Sequence, residues 1–148
     1  MLFRSNNPVS DGIKKLDGIE HLVELTEVNF AFNRISDVGS LARLPRLVTM
    51  DLSHNNIRGM PVLDSNVSLQ RIELNYNLME SLEWLTTQHF AVLSSLSIAH
   101  NHISNLSGLT SHPNISELNV RNNQISDLAP ILNLNHLDRK STRLNSSH

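Results

Sequence analysis

One phrase of eleven residues recurs five times along the chain, and each copy carries an asparagine at its ninth position. The phrase has apolar residues at its first, fourth, sixth and eleventh positions, as in LTEVNFAFNRI and LVTMDLSHNNI. The copies start at Leu25, Leu47, Leu69, Leu93 and Ile115, so the steps are 22, 22, 24 and 22 residues. A unit this short cannot bury its own apolar edge, so the pattern predicts a stack of units in which each contacts only its neighbours.

Each copy is expected to form a short strand, a bend and a return arm. The apolar fourth and sixth positions, Val28 and Phe30 in the first copy, predict a strand with alternate side chains pointing inward. The asparagine at the bend can donate to and accept from backbone groups that strand pairing leaves unpaired. The predicted bend residues are Asn33, Asn55, Asn77, Asn101 and Asn123. After the bend, apolar residues recur every three positions, a spacing that suits 3-10 or single helical turns.

The regular pattern occupies residues 25–137, and Leu137 is read as the first residue of a sixth copy. Residues 1–24 carry only the second half of the pattern, because Asn6 and Pro8 stand where apolar strand residues belong and Asp11 stands where the asparagine should be. They are interpreted as a partial upstream repeat or an irregular N-terminal cap. No strand is expected before Leu25.

The last eleven residues, DRKSTRLNSSH, depart from the pattern. Lys140 and Thr142 stand where a sixth copy would place its inward apolar pair. The segment resembles the in-frame translation of a common sequencing adapter, so residues 138–148 are interpreted as a non-native tail. Deleting them is expected to leave the melting temperature unchanged or slightly higher.

The third copy is two residues longer than the others, and the extra residues lie in its return arm near residues 84–90. Insertions in repeat arrays map to loops, so a bulge is expected there. Trp84 is interpreted as a core side chain beneath the bulge rather than as a binding anchor, because an aromatic residue at repeat spacing is usually buried.

The full phrase, its 22-residue step and the NxIxxLxxLxxLxxL return arm resemble the leucine-rich repeat class typified by the protein phosphatase-1 regulatory subunit. An axonemal dynein light chain and the bacterial internalins share this class. The resemblance covers residues 25–137 and half a repeat before them. It implies an α/β solenoid with short parallel strands on the concave face and 3-10 or short helical arms on the convex face. It also implies that a partner protein binds on the concave face.

Composition narrows the class of function. The chain has no cysteine, which excludes disulfides and thiolate metal sites and favours a cytoplasmic location. Its net charge of −2 does not favour nucleic-acid binding, and it contains no apolar run long enough to span a membrane. We find no glycine-rich phosphate loop and no nucleophile motif, so we expect no cofactor and no catalytic residue. His100 and His102 could share a metal ion, but His54 lies two strands away, roughly 10 Å, and no ligand set is complete.

The variable positions of the phrase supply the candidate binding residues. The eighth position places four flat rings beside the bend, and these rings, called the ring column below, are Phe32, His54, Tyr76 and His100. They are predicted either to anchor a partner or to pack on one another at the rim of the sheet. The fifth position places Asp51 next to Glu73, called the acidic pair below, with Arg71 and Arg121 nearby. This pair is interpreted as a solvated patch rather than as a general acid and base, because no pocket is expected on an open face.

The sequence therefore predicts a non-catalytic module that binds another protein on its concave face through these eight residues. The alternative is a regulatory repeat array of a larger enzyme, such as a kinase, a phosphatase complex or a ubiquitin ligase, whose other domains are missing. Arg43 and Gln88 are expected to lie on the convex face and to be unimportant for binding. Asn75 is expected to face solvent, so its substitution should change stability by less than about 0.5 kcal/mol.

Overall fold

The computed structural model describes residues 1–4, 12–138, 140 and 142–144. Within them, six strands of three residues each form one parallel sheet in chain order. The strands are β1 (Leu2–Arg4), β2 (Glu27–Asn29), β3 (Thr49–Asp51), β4 (Arg71–Glu73), β5 (Ser95–Ser97) and β6 (Glu117–Asn119). Equivalent positions pair throughout, so that Val28 lies opposite Met50 and Met50 opposite Ile72. The fold is a leucine-rich-repeat solenoid, as the sequence predicts.

The return arms lie on the far side of the core, and all of those described except the arm between β3 and β4 form a short 3-10 helix. These helices are η1 (Ile19–His21), η2 (Gly39–Arg43), η3 (Glu83–Leu85), η4 (Ser107–Ser111) and η5 (Ala129–Ile131). Their period of three residues per turn matches the apolar spacing of three in the sequence. None of the described helices is long and apolar enough to cross a membrane.

The core lies between the sheet and the return arms. Met50 lies in β3 and Leu52 directly follows the strand, and both side chains are completely buried. The return-arm residues Ile57 and Leu41 are also completely buried. The alternation of the strand and the threefold spacing of the arm therefore point into one continuous apolar layer.

The structure differs from the sequence prediction at the start of the chain. It places a strand at Leu2–Arg4, with Phe3 in register with Val28 and its ring 5.1 Å from the ring of Phe30. The step from Phe3 to Val28 is 25 residues (28 − 3), three more than the common repeat, and this longer step hides the strand from a 22-residue alignment. Asn6, Pro8 and Asp11 lie outside the described residues.

The longer third repeat holds Trp84 against the core. Its indole ring meets the buried ring of Phe90 edge-on, with centroids 6.4 Å apart. The Trp84 side chain is therefore half-buried and packs against the core, in keeping with its interpretation as a core residue.

The tail continues the sheet by one bridge. Arg143 pairs in parallel with Asn119, and Leu144 packs against the core. The step from Asn119 to Arg143 is 24 residues (143 − 119), two more than the repeat predicts. The shift moves Lys140 away from the inward position, and Leu144 contributes the apolar contact instead.

Candidate functional site

The bend of every repeat is held by one buried asparagine. The Asn55 amide nitrogen donates to the carbonyl of Leu52 in its own repeat and to the carbonyl of Phe30 in the preceding one, both at 3.0 Å. Its oxygen accepts the N–H of Ile35 at 2.9 Å. The same set of bonds recurs at the equivalent side chains Asn77, Asn101 and Asn123. Each asparagine thus joins two repeats through backbone groups that the sheet leaves unpaired.

The residue before each asparagine adopts a left-handed backbone conformation. The φ angles are 61° for Phe32, 57° for His54, 56° for Tyr76, 56° for His100 and 55° for Asn122. Asparagine tolerates this region, but for bulky side chains it is strained, at about 1–2 kcal/mol per residue. The turn at this position carries the next residue, the asparagine, into the core. The repeating motif gives no direct sign of this conformation, because it accepts Phe, His, Tyr and Asn alike.

The four rings of the ring column stack face to face. Their centroids are separated by 4.1 Å from Phe32 to His54, 4.2 Å from His54 to Tyr76 and 4.0 Å from Tyr76 to His100, with interplanar angles of 9–13°. The amide nitrogen of Asn122 lies 2.7 Å from the His100 ring Nε2 and closes one end of the column. Both predicted alternatives are compatible with this geometry, because the rings pack on one another while Phe32 and Tyr76 remain 50% and 47% exposed.

The pKa values of one histidine and one carboxylate at this site are shifted. Partial burial lowers the pKa of His54, which the Asp51 carboxylate opposes and His100 reinforces. Burial raises the pKa of Glu73, and the neighbouring charge of Asp51 raises it further, against the opposing effect of Arg71. Asp51 and Glu73 are paired residues of adjacent strands, so like charges face each other across the sheet.

The two arginines predicted for the site have different surroundings. The guanidinium of Arg71 forms ion pairs with two carboxylates, with N–O distances of 3.4 Å to Glu73 and 3.2 Å to Glu117. Arg121 is half-buried in the last repeat, and its Nε has no hydrogen-bond partner within the described residues. The structure thus brings the acidic pair, Arg71 and the ring column to one face, with Arg121 at the C-terminal end.

A second set of buried polar side chains, which the sequence analysis missed, lies on the return arms. The Asn66 amide donates to the carbonyls of Leu41 and Leu44 at 3.0 and 2.7 Å. The Gln88 oxygen accepts the N–H of Leu63 at 2.9 Å, and the His112 Nε2 lies 2.7 Å from the carbonyl oxygen of Leu85. These side chains are at most 3% exposed, and each reaches back to the preceding repeat.

Two expectations about exposed residues are therefore wrong. Gln88 is 2% exposed, because its amide satisfies the backbone of the longer loop, and it cannot serve as a convex surface control. Asn75 does not simply face solvent, since its oxygen accepts the hydroxyl of Ser97 at 2.7 Å and the N–H of Ala99 at 2.8 Å. Arg43 is exposed, as expected.

Comparisons with known proteins agree with this architecture. A model of the Leucine Rich repeat family matches residues 24–42 and 111–128. Leucine-rich repeat-containing protein 23 of Bos taurus is 31% identical over 145 residues, covering 82% of this chain and 42% of that protein. Osteomodulin of Rattus norvegicus is 29% identical over 126 residues, covering 80% of this chain and 30% of osteomodulin. The chain thus spans less than half of the length of these relatives.

Solved structures show the same solenoid. An internalin C2 from Listeria monocytogenes superposes with a TM-score of 0.79 at 28% identity, covering 90% of this chain and 56% of the internalin. The TLR13 chain of a TLR13–ssRNA13 complex superposes with a TM-score of 0.70 at 22% identity, covering 83% of this chain and 19% of that one, a likeness of fold alone.

Proposed function

We propose that this chain of leucine-rich repeats is a non-catalytic binding module that holds a segment of another protein on its sheet face. The sheet face is the side bearing the third, fifth and seventh positions of the repeats and the ring column. Its binding residues would be the ring column, the acidic pair, Arg71 and Arg121. The repeats themselves support this class of function, because a solenoid presents one extended surface rather than an enclosed pocket.

The observation that carries the proposal is the ring column. Three stacked ring pairs and four strained residues are maintained where two of the rings are half exposed. Strained backbone persists where the surrounding structure fixes it and often coincides with a binding site. Rigid rings bury a large area at little entropic cost when a partner covers them.

The size of the surface suits one structural element of a partner. Five strands at a spacing of about 4.8 Å span roughly 19 Å, which faces about 13 residues of a helix.

We further propose that the repeats belong to the 22-residue class typified by the protein phosphatase-1 regulatory subunit, on the strength of the 22-residue steps, and that residues 138–148 are a non-native tail. The cytoplasmic location and the absence of nucleic-acid binding stay predictions.

The test is a quantitative pull-down from cell lysate with the full chain as bait. The ring variant is Tyr76→Asn plus His100→Asn, because asparagine adopts the left-handed conformation at the equivalent Asn122. The matched control is His21→Asn plus His89→Asn, which removes two exposed rings from the return-arm side. Both variants must melt at the wild-type temperature.

We expect the proteins enriched by the wild-type chain to be lost with the ring variant and retained with the control. Retention with the ring variant and loss with the control would place the binding surface on the return arms and refute the proposal.

A further inference from the structure

We propose that the partner segment presents an aspartate or glutamate side chain to Arg121, whose guanidinium binds the carboxylate. This inference rests on the proposed function and specifies the chemistry of the partner at the C-terminal end of the sheet face. The two arginines of that face differ in the bonds that they make.

Arg71 has its carboxylate partners within the chain. Its guanidinium pairs with Glu73 in its own strand at 3.4 Å and with Glu117 in β6 at 3.2 Å. The pair with Glu117 crosses β5 at Ser95, which aligns with both residues in the parallel register. Ser95 is 6% exposed, and its hydroxyl donates to the same Glu117 carboxylate at 3.4 Å. At the third position of the repeats, an ion pair thus joins two long side chains across a small one.

Arg121 has no such partner. Its backbone N–H donates to the Asn119 side chain at 3.3 Å, but its guanidinium makes no ion pair or hydrogen bond within the described residues. The Nε atom is shielded from solvent, whereas the two terminal Nη atoms, which also lack partners, are not. A guanidinium that loses water without gaining an acceptor is unfavourable. A carboxylate is the acceptor that matches its geometry, and the accessible Nη atoms can receive one.

The seventh position of the repeats has the same arrangement as the third, but without the carboxylate. Ala99 is 4% exposed and lies between Asn75 and Arg121 in the order of the repeats. The Asn75 oxygen already accepts the Ser97 hydroxyl and the Ala99 N–H, and it carries no charge. The chain therefore supplies a carboxylate to Arg71 across a small residue, whereas the equivalent place beside Arg121 is left for a partner.

The surrounding charges favour a single carboxylate over a polyanion. The third, fifth and seventh positions of the five repeats carry four carboxylates and only two guanidiniums, so the face would repel a nucleic-acid backbone. A carboxylate at Arg121 would lie two strands from Glu73 and three from Asp51, roughly 10 and 14 Å away. Both distances exceed the Debye length of about 8 Å at physiological ionic strength. Glu117 is nearer, but its charge is offset by Arg71.

The experiment selects phage-displayed random peptides on the immobilised full chain. The peptides have about 13 residues, the length of helix that spans the sheet face. Their C-terminal ends are fused to the coat protein, so only side chains can supply a carboxylate. Selections run in parallel on the wild type, on Arg121→Gln and on the charge-reversed Arg121→Glu. The control is Arg43→Gln, which removes an exposed guanidinium from a return arm. All four proteins must melt at the same temperature.

We expect the peptides selected by the wild type and by the control to share an Asp or Glu at one position. Arg121→Gln should lose this preference, and Arg121→Glu should replace it with Lys or Arg. Changing the shared acidic residue of a selected peptide to its amide should weaken the Kd for the wild type by about tenfold, and for Arg121→Gln by less than about twofold. Fluorescence anisotropy measures both. The absence of a shared acidic residue, or equal weakening with both proteins, would overturn the inference.

The two proposals fail separately. If the selected peptides lose affinity for the ring variant but do not depend on the charge of Arg121, the binding module stands and the carboxylate inference falls. If they depend on the charge of Arg121 but bind the ring variant as tightly as the wild type, the proposed role of the ring column falls. A failure to select any peptide would count against both.

Discussion

The bends and the return arms lie on opposite sides of the same core, and each leaves backbone groups that the sheet does not pair. At the bends, one residue type in one conformation solves the problem in every repeat, with Asn55 making the same bonds as Asn77. On the return arms, an asparagine, a glutamine and a histidine do so at one equivalent position, the twentieth of the second, third and fourth repeats, as Asn66, Gln88 and His112 show. The bend has a fixed geometry, so one side chain fits it repeatedly. The arms differ in length and helical content, so each needs its own side chain.

The largest expected effect is at the bend. Asn77→Ala removes four hydrogen bonds that are buried or partly buried and should lower the free energy of unfolding by about 3 kcal/mol. The exposed Asn56 follows the bend of the preceding repeat, and Asn56→Ala should change stability by less than about 0.5 kcal/mol. Urea denaturation measures both, and equal effects would contradict the assigned role of the bend asparagine.

The return-arm set predicts a smaller loss. Asn66→Ala removes two buried donor bonds, while the Asn66 oxygen has no partner within the described residues, so the cost should be about 2 kcal/mol. If Asn66→Ala costs as much as Asn77→Ala in the same urea experiment, the two sides of the core do not differ in the way described here.

The left-handed conformation at the bend can be tested at Tyr76 by comparing glycine with alanine. Both variants lose the stacked ring, but glycine adopts a positive φ without strain, so Tyr76→Gly should be about 1 kcal/mol more stable than Tyr76→Ala. Thermal unfolding gives the difference. The reverse order would mean that the backbone relaxes out of this region once the ring is gone.

Deleting the tail measures how much stability its single bridge beside β6 contributes at the edge of the sheet. Deleting residues 138–148 removes the backbone bonds from Asp138 N–H to Ser116, from Arg143 N–H to Leu118 and from Val120 N–H to Arg143, and removes the contact of Leu144 with the core. Water can replace bonds at an edge, so we expect a loss of about 1 kcal/mol, rather than none as the sequence alone suggested. A loss of several kcal/mol in urea denaturation would identify the tail as a structural cap.

The smallest effect is the pH dependence of the ring column. The pKa of His54 lies below its ordinary value of 6.5 in the folded chain. As pH falls below that value, the unfolded chain takes up a proton at this imidazole before the folded chain does, so the free energy of unfolding decreases. Between pH 7.5 and 5.5 the melting temperature of His54→Asn should therefore fall less than that of the wild type. His89→Asn, at an exposed position, is the control, and an identical fall in all three proteins would contradict the prediction.

The repeat pattern predicted the sheet because its physical causes are local and periodic. Alternation at Met50 and Leu52 and the invariant asparagine follow directly from burial and from unpaired backbone groups. β1 escaped prediction because its step is 25 residues. Asn66 and Gln88 occupy the repeat position of the buried Leu44 and Leu134, so the register indicates their burial, but the pattern does not show that their side chains bond the backbone of the preceding arm.

The candidate site was only partly predictable. The register places Phe32, His54, Tyr76 and His100 in one column and Asp51 beside Glu73, so proximity followed from the sequence. Packing of the rings on one another was one of the two predicted alternatives, but its face-to-face geometry was not, because that geometry depends on the positive φ shared by the column and on the amide of Asn122 at its end. Arg71 was assigned to a partner-binding role, yet its contacts to Glu73 and Glu117 depend on side-chain rotamers that the pattern does not specify.

Each bend asparagine bonds to only one preceding repeat, and this determines how the molecule would unfold under a pulling force. Pulling on the two ends loads the terminal repeat, whose asparagine and strand bonds can break while the bonds of the next repeat stay intact. Each released repeat of 22 residues would lengthen the chain by roughly 75 Å, and the third, with 24 residues, by slightly more. The solenoid would thus unfold one repeat at a time and extend in nearly equal steps.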